Sequence, residues 1–308
     1  MRWLEYLQFY TLYFLAGKYI INKRGTNMDS RKLKKAGYIL VSMLNVVLKL
    51  MMIFIIAYPF IWMVLTSFKP YKETTVYPPA LLPVRWTVEG YIKALEMVDV
   101  WGFLKNSLIV SVTVLILQYL VIVPAAYAFA RCKFKYKNVF FGIVLLGFMI
   151  PQQVTFIPIY LMFSKAGMLQ SLLPQILPFI ANAFGIFLLR QYFMQIPEEI
   201  IEAARLDDAG ELKIIMKIMI PMARPAIFTI GLLSFISSWN SYFWPLIMTT
   251  KDAYRTLPIG VAMLNSQEGG RLWNVLMAGN MLLVVPILLV YLVANKQIRK
   301  AFAYSGIK

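Results

Sequence analysis

Six stretches of this chain run for about 20 residues or more without an Asp or Glu, at roughly 40–66, 107–130, 139–162, 173–193, 225–248 and 275–295. At ~1.5 Å rise per residue, each can cross the ~30 Å hydrocarbon core of a bilayer. Lipid offers the backbone no hydrogen-bond partner, so such a segment must satisfy its own N–H and C=O groups as a helix. The expected fold class is therefore all-α: a polytopic membrane protein with six transmembrane helices. Composition agrees, with 60% of residues hydrophobic and 15% charged, where a soluble domain carries about a quarter charged residues. Lys49 lies inside the first stretch. If the dry part begins near Leu50, its ammonium group snorkels to the headgroups. Pro59, Pro151, Pro158, Pro174, Pro178 and Pro286 lie within or at the ends of stretches, where each frees a carbonyl and can kink its helix.

The formal charge is +17. In a soluble chain that excess would suggest nucleic acid, but its distribution follows the positive-inside rule. Segments 1–37, 131–137, 190–224 and 296–308 hold 8, 4, 5 and 4 Lys and Arg, against 5, 1 and 3 in 67–105, 164–172 and 249–273. The basic set is expected in the cytoplasm, which puts both termini there, as six spans require. Residues 3–21 are apolar and aromatic but interrupted by Glu5, Gln8 and Lys18. They read as an interfacial helix ahead of the basic run Arg31, Lys32, Lys34, Lys35; a seventh span and a start at Met28 stay open. The chain thus divides into a cytoplasmic or interfacial segment, 1–37, and a six-helix membrane domain, 38–308, whose loop 195–222 carries the functional signal.

Several chemistries are excluded. The single cysteine, Cys132, permits no intrachain disulfide, and the lack of histidine removes His triads, His-ligated zinc and His proton relays. No catalytic residue or metal ligand is assigned. There is no G-x-x-x-x-G-K-[ST] loop, so ATP is not expected to bind here through a Walker-A cradle. An ion-coupled secondary transporter would bury carboxylates or histidines in its spans, and the six stretches have none. A membrane enzyme would need convergent acid–base or nucleophilic groups.

Six of the 14 acidic residues fall between Glu198 and Glu211, where basic residues are expected. Acids barely influence insertion, so topology does not require them there. Pro197 suits a first helical position, and Glu198, Glu199 and Glu202 suit the positive end of a helix dipole. The chain then meets Asp207 and Asp208 and is expected to turn near Gly210, where positive φ is tolerated. A second short helix follows, with Leu212, Ile215, Met216 and Met219 at amphipathic spacing, and Pro221 is expected to stop it. The pattern suits a helical hairpin docked in a cleft of another protein. Ala203 and Ala204 permit close approach, and Glu202 can pair with a cationic group.

At these residues the chain resembles the inner-membrane permease subunits of bacterial ABC importers, whose loop reads E-A-A, then glycine, then I-x-L-P. Glu202-Ala203-Ala204 and Ile218-Met219-Ile220-Pro221 match, with Ile220 in place of leucine and Asp208 where the family's glycine usually stands. Further strings resemble the maltose-type carbohydrate permeases: Asn106-Ser107, Ala126-Tyr127-Ala128-Phe129-Ala130-Arg131, Pro151-Gln152-Gln153-Val154, Phe187-Leu188-Leu189-Arg190, Trp239-Asn240, Trp244-Pro245-Leu246 and Ser305-Gly306-Ile307-Lys308.

The resemblance implies the type I importer permease architecture in a bacterial cytoplasmic membrane. It implies a loop in which Glu202, Ala203, Ala204, Asp207, Asp208, Gly210 and Pro221 couple to an ATP-binding subunit. It also implies a sister permease forming a heterodimer, two ATP-binding subunits holding ATP and Mg, and an extracytoplasmic solute-binding protein. This chain would bind no cofactor and no nucleic acid. A sugar is the expected cargo, with another polar solute such as glycerol 3-phosphate as the alternative. Polar groups that would be costly against lipid are the candidates for the path: Gln152, Gln153, Thr155, Asn182, Ser237, Ser238, Asn240 and Ser241. Trp239 and Trp244 are candidates to stack on sugar faces, although small polar residues also glue membrane helices and Trp is common in interface belts.

Overall fold

The computed structural model describes the backbone of residues 28–265 and 271–304. The expected interfacial helix at 3–21 and the tail Ser305–Lys308 lie outside the described residues. Every regular element among the described residues is helical. The chain divides into residues 1–61 and 62–308. The first unit carries most of α1 (Met28–Ser67), a helix with Pro59 inside it. Its side chains Leu40, Leu50, Ile53 and Ile56 are exposed, which is a surface for lipid rather than water.

The second unit contains α2 (Glu89–Met97), α3 (Val100–Arg131), α4 (Lys137–Met149), α5 (Gln152–Lys165), α6 (Ala183–Met194), α7 (Glu198–Leu206), α8 (Glu211–Met222), α9 (Arg224–Trp239), α10 (Phe243–Met248), α11 (Leu257–Met263) and α12 (Trp273–Tyr304). The centre is α3. It starts where the Asp99 carboxylate accepts the Gly102 N–H at 2.9 Å, satisfying one of the donors orphaned at a helix start. Both α6 and α9 pack against it, α12 packs against α9, and α2 against α12. Ile122, Ala126, Leu189, Phe193, Ile201, Ile214, Met219 and Ile230 form the main buried cluster. Two glycines permit the close approach: a Cβ on Gly185 would lie 2.6 Å from Ile122 Cδ1, and one on Gly231 would strike the Tyr119 hydroxyl. At its other end, α3 holds a distant loop. The Asn106 amide donates to the Ala253 and Arg255 carbonyls, both at 2.9 Å, and Ser107 Oγ accepts the Leu257 N–H at 2.8 Å.

Among the described residues, four segments are long and apolar enough to cross a bilayer: Tyr38–Ser67, Val100–Arg131, Leu173–Met194 and Trp273–Val293. The other two expected spans are not straight rods. The run 139–162 bends by 95° between α4 and α5. Pro151 has no N–H to donate and pushes Ile150 into extended backbone, ψ 119°. The run 225–248 breaks after Trp239 and resumes as α10, while α9 itself turns 83° from α8 at Ala223. If each bent pair is one span, the total reaches six. Leu173–Met194 is also interrupted, with a 3-10 turn at Leu177–Phe179 before α6 restarts on the Asn182 side chain, which accepts the Gly185 N–H at 2.9 Å.

Candidate functional site

The acidic hairpin is α7 and α8. Pro197 precedes α7 in extended backbone, and Glu198 and Glu199 occupy the first turn, where the helix dipole favours negative charge. Ile201 is buried in the main cluster, while Glu202, Ala203, Asp207 and Asp208 are exposed and Ala204 is half-buried. Leu206 and Leu212 are 86% and 74% exposed, so the hairpin tip carries apolar as well as acidic surface.

Side chains from α3 fasten both limbs. The Tyr127 hydroxyl donates a short hydrogen bond to Glu211, and Arg205 Nε donates to the same carboxylate at 3.0 Å. Those two donors, Tyr127 first, hold the Glu211 carboxyl below its usual range. Arg131, its side chain nine-tenths buried, donates to the Phe193 carbonyl at 2.6 Å and to the Ile196 carbonyl, and pairs with Glu198 at 3.7 Å. Arg190 donates to the Phe129 carbonyl at 3.0 Å and stacks on Phe141 of α4.

Two local expectations are corrected. The left-handed residue of the turn is Asp208, at φ 53°, whereas Gly210 has φ −63°. Asp tolerates this conformation because its short polar side chain clashes little there. The second helix ends at Met222, one residue past Pro221, and of the four residues expected on its apolar face only Met219 and, in part, Ile215 turn inward. Residues Ile215–Met219 form a π turn, so Ile214 and Met219 point inward and Leu212 and Met216 outward. A wider turn aligns positions five apart.

A second feature is a cleft of about 1150 Å³ among α3, α4, the segment 175–186, α9 and α10. It gathers Gln152, Gln153, Asn182, Ser237, Ser238, Ser241 and Trp244 from the sequence candidates. No Asp, Glu, Lys or Arg among the described residues lines it. Trp244 packs edge-on to Phe156 and Phe179, and its indole N–H donates to the Pro174 carbonyl at 2.6 Å.

Three candidates are not brought to the cleft. Trp239 is 1% exposed, stacked on Phe235, with its N–H on the Leu283 carbonyl of α12 at 3.0 Å. Thr155 bonds the Gln152 carbonyl, and Asn240 is exposed beyond the lining. Conversely, Gln118, Gln175, Ser234 and Thr256 line the cleft without having been singled out. An amide in mid-stretch meets the same cost-against-lipid criterion, so Gln118 and Gln175 were findable from sequence. Thr256, in a loop, gave no signal.

A family model described as "Binding-protein-dependent transport system inner membrane component" matches residues 122–303. The chain is similar to the permease protein AraQ of an arabinooligosaccharide transport system from Halalkalibacterium halodurans, 30% identical over 83% of this chain and 92% of the relative. It is also similar to the permease protein UgpE of an sn-glycerol-3-phosphate transport system from Brucella abortus, 28% identical over 79% and 89%. Among solved structures, a chain of a bacterial ABC transporter involved in importing the acidic polysaccharide alginate superposes with a TM-score of 0.76. That match has 26% identity and covers 89% of this chain and 99% of the other.

Proposed function

This chain belongs to the family of binding-protein-dependent transport system inner membrane components, and on that premise we propose that its acidic hairpin is the handle by which a separate ATP-hydrolysing subunit moves the helical bundle. The chain is a multi-pass membrane protein and the permease subunit of an ABC importer of the carbohydrate-uptake type.

The observation that carries the coupling role is the hairpin's division of labour. Its inner residues Ile201, Ile214 and Met219 are locked into the bundle, while Glu202, Ala203, Leu206 and Leu212 remain bare. Small Ala203 lets a partner groove close on α7, and Glu202 offers it a charge to pair. Because α8 is tied to α3 through Tyr127 and α7 through Arg131, a displacement of the hairpin is passed to that central helix rather than lost in a loop. The charge distribution along the sequence supports a cytoplasmic position for the hairpin and both termini.

The partners under this reading are a sister permease, two ATP-binding subunits holding ATP and Mg, and an extracytoplasmic solute-binding protein. Their ATP cycle drives alternating access, and this chain performs no reaction. Sugars or oligosaccharides are the cargo, supported by the arabinooligosaccharide relative; glycerol 3-phosphate, the cargo named for the Brucella relative, is the second reading. In cells producing the whole importer, Glu202→Lys is expected to reduce ATP-dependent uptake to background while the chain reaches the membrane at its normal level. Undiminished uptake, or failure of any ATPase to co-purify with the wild-type chain in mild detergent, would overturn the assignment.

A further inference from the structure

Nine buried side-chain nitrogen or oxygen atoms among the described residues have no hydrogen-bond partner. Four of them belong to residues lining the cleft: Gln118, Gln175, Ser234 and Thr256. These residues are 5%, 2%, 5% and 3% exposed, which makes an unpaired polar atom costly unless something completes it. They come from α3, the turn at Leu173–Ile176, α9 and the residue before α11, so no single local distortion leaves them unpaired.

The chemistry of the set is specific. Gln118 Nε2 donates to the Phe179 carbonyl at 2.7 Å and Gln175 Nε2 to the Tyr254 carbonyl at 2.9 Å. A carbonyl only accepts, so neither amide can be reversed, and the unpaired atom of each is the acceptor Oε1. The Ser234 and Thr256 hydroxyls can donate or accept. A ligand that completes the two amide oxygens must bring O–H or N–H donors, and the two hydroxyls can accept from it or donate to it, which suits a solute rich in hydroxyls. A phosphate or carboxylate lacks the donors, and this lining offers it no cation. The cleft is large enough for a drug-sized solute and has aromatic surface from Phe148, Phe179 and Trp244 beside the polar groups.

We propose that this chain itself contacts the cargo through Gln118, Gln175, Ser234 and Thr256, and that these residues select neutral, polyhydroxylated solutes over phosphate- or carboxylate-bearing ones. The inference rests on the permease reading above and adds the contact residues and the charge class.

The test uses the complete importer in cells, with radiolabelled arabinotriose and maltotriose as neutral probes and glycerol 3-phosphate and an alginate trisaccharide as anionic ones. Ser234→Ala combined with Thr256→Val removes only hydroxyls that bond nothing among the described residues. A purely structural role predicts unchanged uptake and unchanged or higher thermal stability. The proposal predicts about tenfold slower uptake of the neutral probe from two lost hydrogen bonds, with normal membrane level and normal ATPase co-purification. Each single variant is expected to lose about threefold, which serves should the pair fold poorly. Thr256→Ser is expected to retain uptake. Unchanged neutral uptake in the double variant, or a wild-type importer that takes up only the anionic probes, overturns the proposal. The permease reading stands or falls separately, on Glu202→Lys.

Discussion

The hairpin and the cleft belong to the same unit and treat charge in opposite ways. The hairpin keeps Glu202, Asp207 and Asp208 in the open, where a solvated carboxylate costs nothing until a partner arrives. Other groups in and before it are engaged: Glu211 by two donors, Glu198 by Arg131, and the Phe193 and Ile196 carbonyls leading into it by the same Arg131. The cleft has no ionised lining and four unpaired oxygens. A surface read by another protein can stay charged, because water solvates it in the free state. Charge is costly inside a bilayer, and the cleft instead presents neutral groups whose partners can come from a solute.

That contrast can be broken most severely at Arg131. Arg131→Met leaves the Phe193 and Ile196 carbonyls without their donor, and is expected to cost about 2–4 kcal/mol. The measure is a lower midpoint of thermal unfolding in detergent; an unchanged midpoint would mean that the hairpin is not anchored there. Tyr127→Phe removes a single hydroxyl from Glu211 and should cost about 1 kcal/mol, with several-fold less uptake per ATP hydrolysed. Equal loss of uptake and hydrolysis would instead place Tyr127 in folding alone.

A pH series sharpens the same point. The depressed Glu211 carboxyl binds its proton more weakly in the folded state than in the unfolded chain. The attachment is therefore at full strength above about pH 4.3 and is lost as pH falls through the lower folded value. Hydrogen-exchange protection at amides 209–214, taken relative to the intrinsic rate at each pH, should not change between about pH 6 and pH 8, and Glu211→Gln should lower it at both. The smallest effects concern the turn. Asp208→Gly should stabilise by about 0.5 kcal/mol by relieving the positive φ. Gly210→Ala should stay within about 0.5 kcal/mol, because φ is negative and a Cβ there meets nothing within 4 Å. A larger penalty at Gly210 would return the turn to that residue.

The hairpin was legible in the sequence because its signal is contiguous: acids, two alanines and a proline within one loop. The cleft was legible only in part. Pro151 announced a kink, though not a 95° bend. Whether a polar or aromatic residue faces a passage or a neighbouring helix depends on the helix's rotation, and helices apolar all round carry no periodicity that reveals it. Trp239 and Ser238 are adjacent in sequence, yet Trp239 is buried against Phe235 and Leu283 and only Ser238 lines the cleft. The four orphan oxygens emerge only when segments more than 100 residues apart are brought together, Gln118 from α3 and Thr256 from the loop before α11. The turn at Asp208 was missed for a different reason, since glycine is the usual occupant of positive φ and a glycine stood two residues away.

Both ends of α3 are fastened to remote parts of the chain: Tyr127 and Arg131 to the hairpin, Asn106 and Ser107 to the loop and helix start at 253–257. The 21 residues from Asn106 to Tyr127 span about 32 Å of a single helix, which carries Pro124 inside it near the hairpin end. A helix of that length is stiff along its axis and soft only to bending, so it serves as a connecting rod with a pin at each end. On the coupling role proposed above, a displacement of the hairpin is delivered to residues 253–257 through this one helix.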